Sequence, residues 1–102
     1  MIKLSSKYTL MLNQILDTYC KNAEIWVYGS RVNGNCHDGS DLDLVVINFG
    51  EKGKNLGELK QRINDSDIPI LVDISEFHKL PPSFQEEIRK NSEVFYKKRQ
   101  QV

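Results

Sequence analysis

The chain has 102 residues, 39% of them hydrophobic, enough for one domain spanning 1–102 with a single modest core and too few for a second. Fourteen basic residues balance 14 acidic ones, and a net charge of zero argues against a dedicated DNA- or RNA-binding surface. No apolar run of about 18 residues is present and the Met1-Ile2-Lys3-Leu4 start lacks a signal-peptide core, so no membrane association and a cytoplasmic location are expected.

In chain order, Ser5 or Ser6 can cap a first helix whose apolar positions Leu10, Leu12, Ile15, Leu16 and Tyr19 recur at helical spacing. It ends near Lys21-Asn22, and the run Ile25-Trp26-Val27-Tyr28 predicts a buried strand over 24–28. Residues 30–35 read as one helical turn with its N–H groups and dipole aimed at phosphate oxygens. A strand over 41–48 follows, then a loop from Phe49 to Lys54 whose lysines read as solvated. A helix over about 55–65 carries Leu56, Leu59 and Ile63 inward and returns the chain to a strand over 68–75. Such a strand–helix–strand crossover favours parallel pairing of the two strands. Pro81 and Pro82 open a last helix near 82–90, Val94-Phe95-Tyr96 forms a final short strand or packed tail, and the end is polar. The expected class is α/β (α+β), a mixed β-sheet flanked by helices. Cys20 and Cys36 lack metal-ligand spacing and read as reduced thiols; His37 and His78 are isolated.

The chemistry concentrates in Tyr28-Gly29-Ser30-Arg31-Val32-Asn33-Gly34 through Gly39-Ser40-Asp41-Leu42-Asp43. Gly29 ends an apolar strand and removes the side chain where a polyphosphate must approach the backbone, while Ser30 offers a hydroxyl donor. Asp41 and Asp43 open the next apolar run two residues apart, so on a strand both carboxylates share one face while Leu42 and Leu44 enter the core. At about 4 Å and an effective dielectric of about 20, their repulsion is on the order of 4 kcal/mol. Either one acid is protonated or a divalent cation lies between them, and magnesium suits two carboxylates beside a phosphate loop. The bland alternative is a strand that starts with two solvated acids after a Gly-Ser turn. The Gly-Ser pair at this distance upstream favours the nucleoside triphosphate site.

The segment resembles the signature of the DNA polymerase β-type nucleotidyltransferase superfamily: Gly-Ser, a variable stretch, then Asp-x-Asp. Its Tyr-Gly-Ser-Arg and Gly-Ser-Asp-Leu-Asp-Leu surroundings are similar to the minimal nucleotidyltransferase branch, the small antitoxin partners of HEPN-type ribonuclease toxins. The resemblance implies a minimal polymerase β-like fold and a third acid on a later strand, which here is Asp73 in Ile70-Leu71-Val72-Asp73-Ile74. An Asp inside an apolar strand is costly unless paired or metal-bound, which favours metal ligand and base over a strand-edge acid. In the implied reaction Asp41, Asp43 and Asp73 hold two magnesium ions, Asp73 accepts the proton, and Gly29 and Ser30 fix the β- and γ-phosphates of ATP. Arg31 either steadies the triphosphate or makes a plain salt bridge. The resemblance further implies AMP transfer onto a tyrosine of the HEPN toxin in a hetero-oligomer, and a chain without a helical acceptor domain fits an acceptor supplied by another protein. Two alternatives stay open: a non-catalytic antitoxin that neutralises by binding, and a small-molecule nucleotidyltransferase completed by a helical partner subunit.

Overall fold

The computed structural model describes residues 4–29 and 41–97. Their order is α1 (Ser6–Tyr19), β1 (Glu24–Tyr28), β2 (Leu42–Asn48), α2 (Leu56–Asn64), β3 (Val72–Glu76), a 3-10 turn (Phe77–Lys79), α3 (Pro82–Lys90) and β4 (Ser92–Lys97). The four strands form one mixed sheet in the order β3-β2-β1-β4, antiparallel except for β2 and β3. The crossover through α2 therefore gives the parallel pair that its length favours. No helix among the described residues is long and apolar enough to cross a membrane.

Alternation along the strands builds two unequal layers. Ile25, Val27, Leu42, Leu44, Val46 and Ile74 project to one face, where Leu12, Leu16 and Tyr19 of α1 and Leu59 and Ile63 of α2 cover them. The other face carries Val45 and Trp26 and packs against Phe77 and Ile88, so the 3-10 turn and α3 cover only part of it. Ser5 caps α1 by accepting from the Lys7 N–H, and Asn55 caps α2 by accepting from Glu58.

Two sequence expectations need correction. Leu10 is 60% exposed, because it lies about 200° around the helix from Leu12, whereas Leu12, Leu16 and Tyr19 follow at i, i+4 and i+7. The third strand starts at Val72 rather than 68: Pro69 has no N–H to give a ladder, and Ile68 and Ile70 pack on the core as coil. The Leu71 carbonyl still accepts from the Leu42 N–H at 2.9 Å and sets the register.

Tyr19 does more than fill the core. Its hydroxyl accepts from the Asn55 N–H at 2.9 Å, tying the end of α1 to the cap of α2, while the cationic groups of Lys54 and Arg62 each lie 4.8 Å from its ring centre. Tyr19→Phe keeps the ring and removes the acceptor. It should lower stability by about 1 kcal/mol, read as a reduced urea midpoint at unchanged slope. An unchanged midpoint would show that solvent satisfies the Asn55 donor as well as Tyr19 does.

Candidate active site

Asp43, the second residue of β2, stands in register with Asp73 of β3 on one side and with Tyr28 of β1 on the other. Paired residues on neighbouring strands project from the same face, so Asp73, Asp43 and Tyr28 form a row across three strands. The row lies on the partly covered face, while Leu42 and Leu44 point into the main core as the alternation predicts. Asp41 precedes β2 and is exposed. Asp73 is also exposed, on the edge strand of the sheet, so the expectation that burial makes it costly fails. Its setting depends instead on the acid beside it.

Among the described residues that setting is electrostatically one-sided. Burial first, then the carboxylates of Asp73 and Asp41, hold the Asp43 carboxyl above the usual carboxylate range. Burial together with Asp43 and Asp73 pushes the Tyr28 hydroxyl up to about 12. The ion pairs among the described residues, Lys79 with Glu76 and Arg89 with Glu86, involve none of these acids. Nor do three His, Cys, Asp or Glu side chains among the described residues close into a metal cage. What the chain offers is an adjoining carboxylate pair, Asp43 and Asp73, with Asp41 close enough to be felt. A pair of hard oxygen donors without an ion-pair partner among the described residues fits magnesium, which binds through one or two carboxylates plus substrate phosphates and keeps some water.

Gly29 follows directly on β1 with φ +81°, in the left-handed region that glycine occupies without penalty. A Cβ there would sit 2.5 Å from Asp43 Oδ2, so glycine is required twice, by backbone and by the neighbouring carboxylate. Ser30, Arg31, Cys36, His37 and the helical turn expected over 30–35 lie outside the described residues. Cys20 is fully buried, and burial pushes its thiol up to about 11, in keeping with an inert reduced cysteine. The sequence reading missed Tyr28 as a neighbour of the acids. Its position one residue before Gly29 is the only local signal, since the register that places it opposite Asp43 is a tertiary fact.

The family model described as Polymerase beta, Nucleotidyltransferase matches residues 11–101. The chain is 30% identical over 104 residues to the Haemophilus influenzae protein named "Probable protein adenylyltransferase MntA", across 99% of this chain and 90% of that protein. Its fold matches one chain of a crystal structure of a toxin–antitoxin with AMP-PNP at a TM-score of 0.61 and 19% identity, over 91% of this chain and 74% of that one.

Proposed function

The chain belongs to the polymerase beta nucleotidyltransferase family, and within it we propose a magnesium-dependent protein adenylyltransferase that moves AMP from ATP onto a tyrosine of a partner toxin of the HEPN type. The observation that carries this reading is the in-register pair Asp43 and Asp73 beside Gly29, whose missing side chain leaves the Asp43 carboxylate open to a ligand. The name of the Haemophilus relative supports a protein as acceptor. The toxin–antitoxin setting and the nucleotide of the structural neighbour support reading this chain as the antitoxin of such a pair.

In this mechanism Asp41, Asp43 and Asp73 would hold the divalent cation that accompanies the triphosphate. Magnesium bound there would supply charge neutralisation for the leaving pyrophosphate and a lower pKa for the attacking hydroxyl. Gly29 admits the polyphosphate to the backbone, and Ser30 donates to it, with Arg31 steadying the β- and γ-phosphates. Asp73, exposed at the sheet edge, meets the acceptor hydroxyl and takes its proton as the oxygen attacks the α-phosphorus.

The test uses the neighbouring gene product as purified partner. With magnesium and ATP its mass should rise by one or more AMP units on a tyrosine, and a chelator should prevent it. The Gly29→Ala, Ser30→Ala double variant should produce no shift, because a Cβ at Gly29 displaces Asp43. If the double variant neutralises the toxin as well as the parent and neither modifies it, the protein is a binding antitoxin and not an enzyme.

A further inference from the structure

A cavity of about 340 Å³ opens beside the carboxylate row, between the end of β1 and α3, lined by Tyr28, Gly29, Phe84, Glu87, Ile88 and Asn91. Tyr28 and Gly29 belong to both places: they line this cavity, and they also flank Asp43. Among the described residues, a ligand whose phosphates lie at Gly29 and Asp43 therefore has this hollow on the Tyr28 side of the row for the rest of its length, while the hollow on the Asp73 side is lined by Lys60, Ile63 and Leu71 and holds no aromatic ring. The size sits at the small end of ligand pockets, about 300–1,000 Å³, which suits a ring with its sugar rather than a folded acceptor segment.

The lining has the chemistry of a base site. Phe84 is 44% exposed although it is apolar, and it lines the cavity with its ring perpendicular to the Tyr28 ring at 5.9 Å, so an aromatic surface is available there for a base to stack on. Nothing in the core requires Phe84, since Ile88 supplies the buried contact of α3. Glu87 and Asn91, one helical turn apart, bring an acceptor-only carboxylate and a paired donor and acceptor to the same hollow. An amino-purine edge needs an acceptor for its amino group and a donor for its ring nitrogen, the pairing an amide makes with adenine.

We propose that this cavity receives the nucleobase of the donor nucleotide, an amino-purine stacked on Phe84 with its edge toward Glu87 and Asn91. The proposal rests on the nucleotidyltransferase reading above and adds the part of the substrate that the carboxylates do not recognise. It makes Phe84 a determinant of nucleotide affinity without any part in the transfer step.

Calorimetric titration separates the two halves of the ligand, with magnesium ATP as one probe and magnesium tripolyphosphate as the other. Phe84→Ala should weaken ATP about tenfold, the loss of one base–aromatic stack, and leave tripolyphosphate unchanged. Phe84→Trp should recover the ATP affinity, and because Phe84 is exposed neither variant threatens the fold. ATP affinity equal to the parent's in Phe84→Ala, or equal losses for both probes, overturns the assignment. So does an unchanged ATP affinity with a raised KM for the acceptor protein, which would give the cavity to the acceptor ring. A parent that binds neither probe overturns the nucleotidyltransferase reading itself, and this inference with it.

Discussion

Asp43→Asn should lower AMP transfer by about three orders of magnitude and, in the same protein, raise the melting temperature of the metal-free form. Both effects have one cause. The Asp43 carboxyl is half-buried beside Asp73 and Asp41, and its ionised form is the disfavoured one, so its folded pKa stands above the unfolded value of about 4. A group shifted this way contributes stability that is complete below its unfolded pKa and is lost as pH rises through the folded one. Near neutral pH the ionised carboxylate therefore works against the fold. Asparagine keeps the shape and removes the charge, and it would also remove a hard oxygen donor from the proposed magnesium site. Thermal melts between about pH 4 and pH 7 check this: the metal-free parent should lose stability relative to the variant as pH rises across that window. Magnesium should raise the parent's melting temperature and leave the variant's unmoved. A variant less stable than the parent in chelator at pH 7 would count against an uncompensated acid pair.

Most of the fold could be read from local pattern. The strand over 24–28 and the helix near 82–90 fall where the apolar run and the Pro81-Pro82 pair put them, because both signals are short-range. The helix expected over about 55–65 runs from Leu56 to Asn64, set by the Asn55 cap. Errors came where a residue's setting depends on something distant. Leu10 looks like its helical neighbours in composition but falls off the face that meets the sheet. Leu71 continues an apolar run and is nonetheless 64% exposed, because it stands just before β3, the edge strand of the sheet. The final segment, whose Val94-Phe95-Tyr96 run suits either a strand or a packed tail, pairs with β1 as β4; the Tyr96 hydroxyl also donates to Asp17 of α1, which no local pattern encodes.

The candidate site divides along the same line. Gly29 and Asp43 are legible because the motif is nearly contiguous and each residue type has a mechanical reason to be there. What the sequence withheld is their contact: the left-handed turn that lays Gly29 under the Asp43 carboxylate. Asp73 is reached only through the family resemblance, and its side chain is exposed rather than enclosed in the apolar strand. Its register with Asp43 is set by the length of the α2 crossover and by the Leu42–Leu71 hydrogen bond. Tyr28 and Phe84 are 56 positions apart in the chain (84 less 28), and only packing brings their rings to 5.9 Å.

Asp73→Asn should separate chemistry from binding, with the transfer rate falling by about 10²- to 10⁴-fold while ATP affinity stays within about threefold of the parent. The separation follows from where Asp73 stands. Asp43 is the half-buried acid against Gly29, the proposed phosphate position, whereas Asp73 is exposed on the edge strand, where the proposed acceptor would arrive. Replacing it also removes one of the two neighbouring charges that hold the Asp43 carboxyl up. Asp43 then ionises more readily, and metal-supported nucleotide binding keeps its strongest ligand. A fixed proton acceptor at the acceptor hydroxyl is what the variant lacks, since an amide has no basic oxygen to receive the proton. Single-turnover transfer of labelled AMP, set beside calorimetric ATP affinity, measures the two quantities independently. Transfer at the parental rate would make Asp73 a structural strand residue. An ATP affinity that drops in step with the rate would make it chiefly a ligand for the nucleotide's metal, and the proton would then need another acceptor.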